Sequence, residues 1–184
     1  SDSEVVAVIG LGVEGVSNLL ALKEVLPKIK IAKIYDISSG QIKKYQEMLS
    51  PQFPGVSFIP CKDPKTTVKD ADVIVTCTPM LERPKRFIRS SWLKDSVLAI
   101  AVDYDSAFDA DIMTNGTFVC DDKNQYLKTQ KESKYFHDGY PLEGQIYADM
   151  GEIVSGIKEP VKKGVRGVVL MGLASHDIMT GHLL

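Results

Sequence analysis

Residues 4–15 read Glu4-Val5-Val6-Ala7-Val8-Ile9-Gly10-Leu11-Gly12-Val13-Glu14-Gly15. A β-branched apolar run passes straight into G-x-G-x-x-G, and Val16-Ser17-Asn18-Leu19-Leu20-Ala21-Leu22 follows with helical apolar spacing. In a strand–loop–helix of this kind each glycine has its own task. Gly10 allows the tight turn, Gly12 lets backbone approach a pyrophosphate, and Gly15 lets the helix sit close to the strand. The helix start, carrying Val13 and Glu14, adds free N–H groups and the positive end of the helix dipole.

The next strand carries the second half of the pattern. Lys30-Ile31-Ala32-Lys33-Ile34-Tyr35 alternates and ends at Asp36-Ile37. Asp36 stands about 20 residues beyond Gly15, where an acid reaches the ribose hydroxyls of a dinucleotide. An acid there accepts from both hydroxyls and repels a 2′-phosphate, so NAD is favoured over NADP. The competing reading makes Asp36 a cap for the helix that starts near Ser38-Ser39-Gly40.

Composition narrows the class. The 184 residues suffice for one substantial domain, and 44% hydrophobic with 25% charged residues calls for a folded core. The net charge is −2 with Lys and Arg scattered, so neither a nucleic-acid stripe nor a basic membrane face is expected. No apolar run reaches the ~20 residues of a membrane helix, and no signal peptide is expected. Cys61, Cys77 and Cys120 form no C-x-x-C pair and read as reduced thiols of a cytoplasmic protein. His137, His176 and His182 lack ligand spacing, so no metal site is expected. Asn115-Gly116-Thr117 fits a glycosylation sequon but reads better as a turn.

Strands and helices alternate along the chain. Strands are expected near 4–9, 30–36, 56–59, 71–78, 96–102, 117–120 and 167–171. Helices are expected near 13–26, 39–49, 63–70, 109–113, 122–136, 145–155 and 173–182. Right-handed crossovers make this an α/β fold: a doubly wound, mostly parallel sheet with helices on both faces. Ligand then lies at the carboxyl ends of the strands, over the switch point between the first and fourth.

The strand ends supply the remaining candidates. Thr76-Cys77-Thr78 suits the back of a ribose or nicotinamide, and Val102, Met171 and Gly172 close the neighbouring strand ends. Asp103 and Asp105 are the carboxylates placed toward a cofactor's reactive end, where an acid binds an amine or passes a proton. The competing reading is a turn acid or a cap for the helix near 109–113. Cys77 reads as a buried inert thiol, and His176 as an ordinary residue of the last helix. No Tyr-x-x-x-Lys pair of the short-chain reductase type is present: Tyr35, Tyr104 and Tyr126 are followed four residues on by Ser39, Phe108 and Gln130. A methyltransferase shares the opening strand–turn–helix and remains an alternative.

Several segments, taken in order, resemble the ornithine cyclodeaminase/mu-crystallin family. They are Ala71-Asp72-Val73-Ile74-Val75-Thr76-Cys77-Thr78, Val102-Asp103-Tyr104-Asp105 with Asp111-Ile112, Gly151-Glu152-Ile153-Val154-Ser155-Gly156, and the closing Val168 to Asp177. The resemblance implies a Rossmann domain binding NAD(H) or NADP(H), with Asp105 at the position of the catalytic aspartate. It also implies chemistry at an amino-bearing carbon through an imine, as in ornithine cyclisation, alanine dehydrogenation or ketimine reduction. Glu14 departs from a usual Gln, Asp111 from a usual Glu, and Asp103-Tyr104 from small residues, which narrows the space over the nicotinamide. Family members carry a second domain that binds the amino acid or imine substrate and forms a homodimer. The expectation is therefore a single nucleotide-binding domain over 1–184, inactive in isolation, from a longer enzyme. A non-catalytic dinucleotide-binding module, crystallin-like or redox-sensing, is the alternative.

Overall fold

Val5–Ile9 form strand β1, and every residue of it except Val5 is fully buried. The computed structural model describes residues 2–132 and 135–183, without the side chains of residues 176, 177, 180 and 183. The side chain of His176 therefore lies outside the described residues. After β1 come α1 (Val13–Val25), β2 (Ile31–Tyr35), α2 (Ser39–Leu49), β3 (Ser57–Pro60), α3 (Pro64–Val68) and β4 (Val73–Thr76). The second half runs β5 (Val97–Ala101), α4 (Ala110–Thr114), β6 (Thr117–Cys120), α5 (Lys123–Lys131), β7 (Ile146–Asp149), α6 (Met150–Val154), β8 (Val165–Val169) and α7 (Ala174–Leu183).

The strands form one eight-stranded sheet in the order β3-β2-β1-β4-β5-β8-β6-β7. Every pairing in it is parallel, as the alternation of strands and helices requires. The two-residue period of the strands divides the core. Val6, Val8, Val73 and Val75 pack on one face with Leu19 and Leu22 of α1 and Tyr45 and Leu49 of α2. Ala7, Ile9 and Ile74 pack on the other with Val68 of α3, Ile112 and Met113 of α4 and Tyr126 of α5. Each fully enclosed large apolar side chain contributes about 1.5–3 kcal/mol, so both faces must be covered, which is what a doubly wound sheet achieves.

Register then assembles the strand ends. Ile9 pairs with Tyr35 on one side and with Thr76 on the other. Gly10, Asp36 and Cys77 therefore leave the sheet side by side at the point where strand order reverses.

Two expected helices change shape. The sequence predicts one helix over 145–155; the structure divides it into β7 and α6. Asp149 and Glu152 form a capping box, each side chain accepting from the other's backbone N–H, which starts the helix at Met150 and leaves Ile146–Asp149 extended against β6. The helix expected over 122–136 ends at Lys131. Beyond it Phe136 turns inward, its ring 4.8 Å from Tyr126 and 5.3 Å from Tyr140. Asn115 and Gly116 make a turn before β6, and a Cβ at Gly116 would lie 2.7 Å from the Val165 carbonyl oxygen.

Candidate functional site

The three loop glycines differ in what surrounds them. Gly10 has φ +88°, and a Cβ there would stand 2.3 Å from the carbonyl oxygen of Cys77. A Cβ at Gly15 would stand 2.2 Å from the carbonyl oxygen of Gly10. Those two positions serve the packing of loop, strand and helix. Gly12 has an ordinary φ of −73°, and a Cβ there would meet nothing within 4 Å. The space above Gly12 is open, it lies at the N-cap of α1, and no side chain caps that helix. Backbone N–H groups of the first turn thus face a gap of the kind a phosphate pair fills.

Asp36 braces this loop. Its Oδ2 accepts from Leu11 N–H at 2.9 Å and its Oδ1 from Ser38 N–H at 2.9 Å, while Gln41 donates to the Leu11 carbonyl at 2.5 Å. Each Asp36 oxygen keeps a second lone pair. Ser38, not Asp36, caps α2, its hydroxyl accepting from Gln41 N–H at 3.3 Å; Asp36 steadies the backbone of that cap and flanks the glycine loop. Ile37, next in sequence, and Val13 at the start of α1 stand 95% and 81% exposed.

On the other side of β1 a cleft of about 1040 Å³ opens over the ends of β4, β5, β8 and β6. Its lining includes Glu14, Cys77, Thr78, Val102, Tyr104 and Met171, and it continues to Gly172 and Asp121. The Cys77 thiol is pushed up to about 12, mainly by burial and then by the nearby Asp103 and Glu14 carboxylates. It is not a thiolate at neutral pH. Asp103 is buried and accepts from the hydroxyls of Thr76 and Thr78. Burial raises its carboxyl above the usual range, against the lowering effect of those hydrogen bonds.

Asp105 takes a different place from the one expected at the reactive end of the cleft. Its carboxylate is 1% exposed and lies outside the cleft lining. Arg86 grips it through Nε and Nη2, each at 2.7 Å, and His137 approaches it with backbone N–H at 2.9 Å and Nδ1 at 3.2 Å. The residue that faces the cleft from this turn is Tyr104, held at φ +59° between the two anchored acids. A non-glycine residue in that conformation persists only where its surroundings over-determine it. Asp103 and Asp105 supply that restraint, and Tyr140 adds a hydroxyl donated to the Tyr104 carbonyl at 3.1 Å.

Two further residues, one lining the cleft and one holding Asp105 behind it, carry no motif. Asp121, at the end of β6, accepts from Met171 N–H and Gly172 N–H, both at 2.7 Å, and so fixes the turn between β8 and α7. Arg86 lies on the long connection from β4 to β5 at φ +40°. An acid directly after a strand was the one available signal for Asp121; nothing local marks Arg86.

A parallel doubly wound sheet with an open glycine loop at its switch point defines a Rossmann-type α/β domain. The chain belongs to the ornithine cyclodeaminase/mu-crystallin family, whose signature matches residues 1–182. Among its relatives, N-((2S)-2-amino-2-carboxyethyl)-L-glutamate dehydrogenase of Staphylococcus aureus is 23% identical over 96% of this chain and 53% of its own length. Ketimine reductase mu-crystallin of Macropus fuliginosus is 27% identical over 99% and 54%. The Thermococcus litoralis Δ1-pyrroline-2-carboxylate reductase in complex with NADH and L-proline superposes with a TM-score of 0.81 at 23% identity, over 99% of this chain and 57% of that one. An archaeal alanine dehydrogenase dimer with bound NAD gives 0.80 at 21% identity, over 99% and 56%. The chain spans about half the length of the relatives it matches.

Proposed function

We propose that this chain binds NAD(H), in preference to NADP(H), as the nucleotide half of an oxidoreductase that acts on an amino acid or its imine. The open space above Gly12 at the uncapped start of α1 carries this reading. Gly10, Gly12, Val13, Glu14 and Gly15 would hold the pyrophosphate, and Asp36 the adenosine ribose, with Ile37 beside the base. Thr76, Cys77, Thr78, Val102, Met171 and Gly172 would back the nicotinamide half. When bound, that group takes or supplies a hydride. The protein's part is to orient it, exclude water from the cleft and fix the proton-bearing groups around it. Substrate capture and pairing into a homodimer would fall to a further substrate-binding half, which relatives of twice this length support. Unpaired Cys61, Cys77 and Cys120 fit a reducing, cytoplasmic setting.

The bidentate hold of Arg86 on Asp105 favours a second reading, a dinucleotide-binding module without turnover. In the enzyme reading Asp105 anchors the turn that presents Tyr104, and a direct proton-handling role for Asp105 requires Arg86 to release it. Calorimetric titration with NADH, using wild type and Gly12→Ala, tests binding. Tight wild-type binding weakened at least tenfold by Gly12→Ala is expected; equal affinities would remove the pyrophosphate site. Substrate-dependent NADH oxidation by the complete polypeptide separates the enzyme from the module.

A further inference from the structure

Asp103 sets the direction of a hydrogen bond that faces the cleft. Its Oδ1 accepts from the Thr76 hydroxyl at 2.6 Å, and its Oδ2 accepts from Thr78 N–H at 3.1 Å and from the Thr78 hydroxyl at 2.5 Å. Thr78 N–H can only donate, so Oδ2 is an acceptor in every protonation state. As a carboxylate, Asp103 carries no hydrogen, and both of its oxygens only accept. The Thr78 hydroxyl therefore spends its single hydrogen on Oδ2 while Asp103 is ionised. What Thr78 offers the cleft it lines is lone pairs alone.

We propose that Thr78 is an acceptor-only contact for the amide nitrogen of the nicotinamide carboxamide, and that Asp103 is the positioning residue that imposes this polarity. The inference rests on the NAD(H) reading above. A ribose hydroxyl can turn to donate to such an oxygen or to accept elsewhere, so a fixed acceptor does not orient it uniquely, and the ADP-ribose titration below separates it from the carboxamide. The carboxamide nitrogen only donates, so it is the group on that half of the cofactor that such an oxygen selects. Thr78 also stands at the switch point, beyond the end of β4, with Asp36 and Ile37 across β1 toward the adenosine side.

Calorimetric titration with three compounds tests this. They are NAD+, its 3-acetylpyridine analogue, in which a methyl replaces the amide nitrogen, and ADP-ribose, which lacks the ring. Wild type should prefer NAD+ to the analogue by about fivefold or more, the worth of one net hydrogen bond. Thr78→Val should abolish the preference by weakening NAD+ alone, and Thr78→Ser should restore it. Asp103→Asn should keep it, because the amide oxygen stays on Thr78 N–H and the amide nitrogen faces Thr76. Equal wild-type affinity for NAD+ and the analogue would overturn the proposal. So would an equal loss of ADP-ribose in Thr78→Val, which would move the contact to the ribose. Loss of the preference in a folded Asp103→Asn would overturn the role of Asp103. Wild type that binds none of the three compounds would overturn the NAD(H) reading itself, a result distinct from indifference to the amide.

Discussion

Arg86 holds Asp105 through two N–H···O bonds of 2.7 Å, one from Nε and one from Nη2, in the fork geometry that makes such pairs strong. Asp105 is 1% exposed, and the Arg86 side chain is 23% exposed. This pair closes the connection from β4 to β5 onto the turn that carries Tyr104.

Arg86→Ala should therefore cost about 3 kcal/mol of stability, because it strands a buried carboxylate. Chemical denaturation reads this directly. Tyr104 should lose its fixed place in the same variant. A stability change below about 0.5 kcal/mol would show that Asp105 is free to leave Arg86.

The glycine loop gives opposite outcomes at neighbouring positions. Gly10→Ala forces an L side chain into φ +88° against the Cys77 carbonyl and should destabilise the fold by at least about 2 kcal/mol. Gly12→Ala should fold with stability within about 1 kcal/mol of wild type, since its Cβ meets nothing. Denaturation curves of the two variants, measured side by side, check the contrast.

Asp103 gives the stability curve a slope of known sign. Burial raises its folded value above 3.8, so between those two values the folded chain binds more protons than the unfolded chain. Stability from this group falls as pH rises through that window and is flat above it. Asp103→Asn should remove that fall, seen as a difference between the two proteins' melting temperatures that changes from pH 3.8 upward. A constant difference over that range would contradict the raised value.

The thiols of Cys77 and Cys120 are both pushed up to about 12, chiefly by burial. At pH 8 both should react with iodoacetamide far more slowly than a free cysteine, and mass spectrometry of the labelled chain locates the modified residues. Labelling of Cys77 at the rate of an exposed thiol would restore it as a candidate nucleophile.

Much of the frame was legible because it rests on local chemistry. The run from Val5 to Ile9 into Gly10, Gly12 and Gly15 marks a strand, a turn and a helix by residue type alone, and Asp36 follows at the right spacing. β7 was hidden because Ile146-Tyr147-Ala148 is too short to show a period, although the capping box of Asp149 and Glu152 already marked where the helix begins. The orientation of Asp105 was not legible. It depends on Arg86 and His137, 19 and 32 residues away in sequence, and no local pattern encodes those contacts. Tyr104 stood out by size, but its role at the cleft follows from the two acids that hold it.

Calorimetric titration of wild type and Asp36→Ala with NADH and NADPH is the most direct measurement. NADH should bind more tightly than NADPH to wild type, and Asp36→Ala should weaken NADH while narrowing the gap. Failure of wild type to bind either dinucleotide, or an Asp36→Ala variant indistinguishable from it, would contradict a cofactor site at this loop.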